Sequence, residues 1–133
     1  MHTEDVIEWL SIADDDFDSA KILNESVRKH FEIICYLCAQ AVEKYLKGYL
    51  IWNDIIPEKT HNLAYLNKLC AEKDKVFEDI KTECGILNRF SNDVRYPHKY
   101  EVDENDVNYS LSAVEKTKNL NPLMNIRKNI NIA

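Results

Sequence analysis

The stretch HFEIICYLCAQAVEKYLKGYLIW, from His30 to Trp52, decides the fold. Ile34, Leu37, Cys38, Ala41, Tyr45 and Tyr49 recur three or four residues apart, which places them on one face of a helix. Val42 and Leu46 widen that face, so this helix should be the most enclosed of the domain. Gln40, Lys44 and Lys47 fall on a different side, with Glu43 beside them. The run ends at Asn53-Asp54-Ile55-Ile56-Pro57, where Pro57 and the polar pair break the period.

Working outward gives more helix. Before the central stretch, Val6, Leu10, Ala13, Phe17 and Ala20 form a second stripe, with Thr3 as expected N-cap and Glu4 and Asp5 favouring the helix start. This helix fades near Asn24–Val27. After it, Thr60 is the expected cap of a shorter helix carrying Leu63, Leu66, Leu69 and Cys70. A fourth carries Val76 or Phe77, Ile80, Cys84, Leu87 and Phe90. Residues 91–100 are aperiodic, and Pro97 pushes Tyr96 toward an extended backbone. Asp103 caps a last helix with Val107, Leu111 and Val114 inside, and Pro122 ends or bends it. Residues 121–133 read as a frayed C-terminal tail, since residues 119–133 hold 5 Asn and no charges but Arg127 and Lys128. The fold class is all-α: an up-and-down bundle of four main helices plus a shorter fifth over residues 1–120.

Composition agrees and excludes alternatives. The 133 residues suit one domain, and 2 Gly and 3 Pro are too few for a many-stranded barrel or sandwich. Gly48 and Gly85 alone cannot write GxGxxG or a P-loop. The net charge of −6 lies in residues 1–32, which hold 9 Asp/Glu against 3 Lys/Arg, while the rest balances. No broad basic face exists for general duplex-DNA binding, although a local basic pocket fits. No apolar run is long enough to span a membrane and the N-terminus is acidic, so a cytoplasmic, reducing setting is expected. Cys35 and Cys38 have CxxC spacing but sit in an apolar run without a second pair, and read as buried thiols. His2, His30, His61 and His98 include no HxxxH pair, and no nucleophile elbow occurs. No metal site and no cofactor are expected.

Three groups of residues carry chemistry. Gln40, Glu43, Lys44 and Lys47 offer two cations one turn apart for a phosphate or an acidic partner, or else an ordinary i,i+4 surface pair of Glu43 with Lys47. His61 follows the expected Thr60 cap, where backbone N–H groups favour an anion and the helix dipole favours a neutral imidazole. The Asn92–Tyr100 stretch joins Arg95, a bidentate phosphate ligand, with Tyr96 and Tyr100 as stacking rings and His98 as an acid–base group. The alternative reading pairs Arg95 with an acid of the bundle while the tyrosines fill its end.

The segments Ala20-Lys21-Ile22-Leu23, Cys38-Ala39-Gln40-Ala41-Val42-Glu43-Lys44-Tyr45-Leu46-Lys47-Gly48, Thr60-His61-Asn62-Leu63 and Arg95-Tyr96-Pro97 occur in that order. Together they resemble the HEPN domain (higher eukaryotes and prokaryotes nucleotide-binding), in its small stand-alone prokaryotic form. The resemblance implies a homodimeric helical bundle, often encoded beside a minimal nucleotidyltransferase as a toxin–antitoxin module. It also implies a nucleotide or RNA ligand, held here by Lys44, Lys47, Arg95, Gln40, His61 and Tyr96. One branch of the family consists of metal-independent ribonucleases marked by Arg, four to six residues, then His. Here Arg95 precedes His98 by two intervening residues and Arg89 by eight, and the four-residue spacing falls on Asp93. The expected function is therefore binding without cleavage. The alternatives are a ribonuclease using His98 with Arg89 or Arg95, and a structural interaction domain.

On an ideal bundle, Lys44 and Lys47 lie near the start of the third helix. The end of the fourth is expected at the opposite end of that helix, so that the lysines, His61 and Arg95 all meet only if the third helix is short or folded back; Arg95 is expected with Lys44 or Gln40 in one groove, and His61 in it as well.

Overall fold

The computed structural model describes residues 2–91 and 101–131, and every regular element in them is helical. The first helix, α1 (Thr3–Asn24), buries the expected stripe of Val6, Leu10, Ala13, Phe17 and Ala20. Its N-cap is His2 rather than Thr3, and no side chain closes it. The second, α2 (Phe31–Trp52), is the hub. Ile34, Cys38, Ala41, Tyr45 and Leu46 on it are fully enclosed, while Leu37 is only partly covered.

The two helices run antiparallel, as three cross-helix pairs show. Gly48 meets Leu10, Tyr45 meets Asp14 and Lys44 meets Asp16, so one number falls as the other rises. Gly48 permits the close approach: a Cβ there would lie 2.9 Å from Leu10 Cδ2. Both helices are longer than the others, and each buries one face against the other.

The third helix, α3 (Leu63–Lys73), is capped by Asn62, whose side chain accepts from the Tyr65 N–H, and not by Thr60. The Thr60 hydroxyl instead accepts from the Asn62 N–H at 3.1 Å. Both residues can cap, and Asn62 wins because it stands directly before the buried Leu63. The fourth segment is not one helix. A 3₁₀ stretch (Lys75–Ile80) leads into α4 (Lys81–Leu87), and a 3₁₀ turn (Asn88–Phe90) follows. Phe77, Ile80, Cys84, Leu87 and Phe90 are buried as expected. The end of this segment lies beside the start of α3, because the Leu63 N–H donates to Asn88 Oδ1 at 2.6 Å. That overturns the expected separation: in an antiparallel hairpin the second arm ends where the first began.

The next helix, α5 (Glu104–Lys118), starts in a capping box between Asp103 and Asp106. It buries Val107 and Val114, and Leu111 packs at its edge. The frayed tail is corrected over residues 121–129, which form α6 (Asn121–Asn129). Pro122 sits in the first turn of α6, where no N–H is needed, so it starts this helix rather than merely ending α5. Leu123 and Ile126 are buried, and Arg127 makes a two-pronged contact of 2.9 Å per arm with Asp14 on α1. The Tyr45 hydroxyl donates to the same carboxylate at 2.5 Å.

The result is an all-α bundle. All four cysteines are free and buried. Burial pushes their thiols up, that of Cys35 to about 11 and that of Cys84 to about 12, which makes them poor nucleophiles. Among the described residues no helix is long and apolar enough to cross a membrane, and no three His, Cys, Asp or Glu side chains gather to hold a metal ion.

Candidate functional site

The side chains that build the site start on α2. Glu43 is 3% exposed, so its carboxyl group needs partners from the protein. One turn on, the Lys47 ammonium donates to Glu43 Oε2 at 3.0 Å. The other oxygen, Oε1, lies 2.8 Å from His61 Nδ1. His61 stands just ahead of the Asn62 cap, in the segment that leads into α3. Its side chain remains 59% exposed, so one ring nitrogen is anchored and the ring edge faces solvent.

A second polar chain runs beside the first. The Lys44 ammonium donates to Asp16 Oδ2 on α1 at 2.6 Å and reaches Gln40 Oε1 at 3.4 Å. Gln40 Nε2 in turn donates to the Ser91 carbonyl at 3.5 Å, which ties α2 to the end of the α4 segment. At that end the Asn88 amide donates to Asn62 Oδ1, and the Ser91 hydroxyl donates to the Asn88 carbonyl. An open cleft of about 500 Å³ lies where these elements meet, lined by Lys59, Thr60, His61, Asn62, Asn88 and Ser91.

The structure thus brings His61 and Gln40 to one region and gives each a fixed partner. The two lysines differ from expectation. Lys47 is buried on Glu43, with its ammonium 5.5 Å from the Trp9 ring centre, and Lys44 is held by Asp16. Neither is a free cation facing the cleft, because α1 and the segment before α3 cover the side of α2 that carries them. Nor is the start of α3 an open anion site: Asn88 and Asn62 already satisfy the Leu63 and Tyr65 N–H groups. Arg89 points elsewhere, donating to Asp106 Oδ1 on α5 at 2.8 Å. Arg95, Tyr96 and His98 lie outside the described residues.

Sequence reasoning missed Lys59, Asn88 and Ser91, which carry no motif of their own. It saw Glu43 beside Lys47 but not its third partner, His61.

A family model for the HEPN domain matches residues 6–120. The chain belongs to the HEPN domain family. No curated protein matches it closely enough to count as a relative. Membership ties this HEPN domain in general terms to nucleotides or RNA, and HEPN domains often pair. The match spans α1 to α5 and includes every residue lining the cleft.

Proposed function

We propose that this HEPN domain binds a nucleotide or an RNA segment in the cleft at the start of α3 and does not cut it. The observation that carries this reading is His61, held at the cleft by a buried carboxylate and surrounded by polar lining residues only. A buried ionic pair is costly unless a precise geometry repays it, and here the geometry fixes a ring whose outer edge is open to ligand.

Gln40, Lys44 and Lys47 serve as the framework behind the cleft rather than as direct ligands. Arg95 and Tyr96 enter from the sequence alone: they follow Ser91 by four and five residues and supply a guanidinium and a ring. Cleavage is disfavoured because Asp93 holds the position at which the ribonuclease pattern has Arg, and because Arg89 is engaged with Asp106. By family analogy the domain acts as a cytoplasmic homodimer beside a minimal nucleotidyltransferase, in a toxin–antitoxin module. Sedimentation at tens of micromolar, an order-of-magnitude range for specific contacts, tests the dimer. Calorimetric titration with ATP, other nucleotides and short RNAs tests the ligand class. Saturable binding to at least one supports the reading, and no binding to any overturns it.

A further inference from the structure

Asn67 sits on the buried face of α3 with Leu63, Leu66 and Cys70, at a position where an apolar side chain would be expected. It is only 3% exposed. Its amide nitrogen donates to the Phe77 carbonyl at 3.0 Å and so ties α3 to the 3₁₀ stretch. The oxygen of the same amide, Oδ1, is buried and has no hydrogen-bond partner among the described residues. A buried acceptor left unserved is costly, so the bond to Phe77 explains only half of this side chain.

Asn67 also lines a cavity of about 270 Å³ between α3 and the segment that follows it, and it is the one buried residue of that lining. Ala64, Lys68 and Ala71 border the cavity from α3, and Glu78 and Lys81 from the 3₁₀ stretch and the start of α4. None of these residues lines the cleft at His61. No ion pair joins Lys68, Glu78 or Lys81 to another described residue. The cavity therefore offers a neutral acceptor, two ammonium groups, one carboxylate and two methyl groups. Its volume suits a molecule of amino-acid rather than nucleotide size. A fully ionised phosphate or a simple carboxylate would serve the lysines, but it has no hydrogen for Oδ1 and would face Glu78. An amine alone would serve Oδ1 and Glu78 but would be repelled by the lysines. An α-amino acid serves all four: its ammonium donates to Oδ1 and Glu78, and its carboxylate accepts from Lys68 and Lys81.

We infer that this cavity binds a free α-amino acid with a small apolar side chain, its ammonium on Asn67 Oδ1 and Glu78, its carboxylate on Lys68 and Lys81, and its side chain on Ala64 and Ala71. Ammonium and carboxylate one carbon apart occur together in a free amino acid and not at a peptide terminus. The site is separate from the cleft at the start of α3 and does not depend on what that cleft binds.

The test is an NMR titration of the isotope-labelled protein with L-alanine and L-valine at millimolar concentration. N-acetyl-L-alanine, which lacks the ammonium, and L-alaninamide, which lacks the carboxylate, are the controls. At least one amino acid should shift the backbone amides of residues 64–81 saturably, and both blocked forms should bind about tenfold more weakly or not at all, as for loss of one charge-assisted hydrogen bond. Replacing both exposed lysines, Lys68→Ala with Lys81→Ala, should weaken binding by about tenfold or more on the same ground. Asn67→Leu should abolish it by removing the acceptor. Should Asn67→Leu fail to fold, the lysine variant decides, since its side chains lie in solvent. Absence of saturable binding by either amino acid overturns the inference. So does a blocked form that binds as tightly as alanine, which would mark a site for a lone anion or a lone amine, and so does undiminished affinity in the lysine variant. None of these results bears on nucleotide or RNA binding at the cleft.

Discussion

Glu43, buried on α2, and His61, exposed ahead of α3, meet at 2.8 Å between Oε1 and Nδ1. A residue of the bundle interior thereby orients a residue of the surface. The same carboxylate also neutralises Lys47, which is only 7% exposed.

Removing one partner of that pair should be expensive. Glu43→Ala leaves the Lys47 ammonium buried without a counter-charge and should cost about 3–5 kcal/mol, the range for breaking a buried pair. Lys47→Met removes the charge that Glu43 neutralises but keeps much of the packing volume, and Glu43 still has His61, so it should cost less. Urea denaturation of the two variants checks the order.

The contact between Asp14 and Arg127 should make the C-terminal helix part of the cooperative unit. Arg127→Ala should destabilise the domain by about 1.5–3 kcal/mol, as expected for hydrogen bonds between charged groups. Asp14 also carries a pH signature. Burial raises its pKa, but the hydrogen bonds from Arg127 and Tyr45 and the nearby charges of Arg127 and Lys118 outweigh this, so the net shift is downward. A carboxyl held lower in the folded state stabilises it above the unfolded carboxyl's range, and the gain is lost as pH falls through the lower folded value. The stability gap between wild type and Asp14→Asn should therefore be constant near neutrality and shrink in acid. Denaturation midpoints as a function of pH measure it.

The two glycines should respond in opposite directions. Nothing lies within 4 Å of a Cβ built on Gly85, so Gly85→Ala in α4 should stabilise by about 0.5–1 kcal/mol through backbone entropy. At Gly48 the Cβ would strike Leu10, which is itself enclosed, at 2.9 Å. Gly48→Ala should destabilise by about 1 kcal/mol, with overpacking exceeding the gain in helix propensity. Thermal melts of both variants give the signs.

If Arg95 contacts the ligand phosphate, Arg95→Ala should weaken binding by about 1.5–3 kcal/mol, the range for a charge-assisted hydrogen bond. His98→Ala should change it less. RNA cleavage by the wild type that is lost in His98→Ala would overturn the non-cleaving reading.

The apolar stripes of α1, α2 and α5 were legible because each repeats at helical spacing over several turns. α6 was not, since its two apolar contacts, Leu123 and Ile126, stand among asparagines, and its main tether, Arg127, finds Asp14 only across 113 positions. Thr60 was read as the cap of the third helix, and only the position of Leu63 in the core shows that Asn62 caps it. Of the site, His61 and Gln40 were legible from the family-like motifs. The wall made by Asn88 and Ser91 was hidden because it depends on the hairpin that returns the α4 segment to the start of α3.

The central claim is that the cleft beside His61 holds a nucleotide or RNA. Calorimetric titration of wild type and His61→Ala with the same nucleotides and short RNAs tests it most directly. The account predicts saturable binding to the wild type and affinity reduced about three- to tenfold in the variant, one hydrogen bond's worth, with the fold retained and a melting temperature lowered by loss of the partner of Glu43 Oε1. Absence of binding by the wild type, or equal affinity in the two proteins, would contradict it.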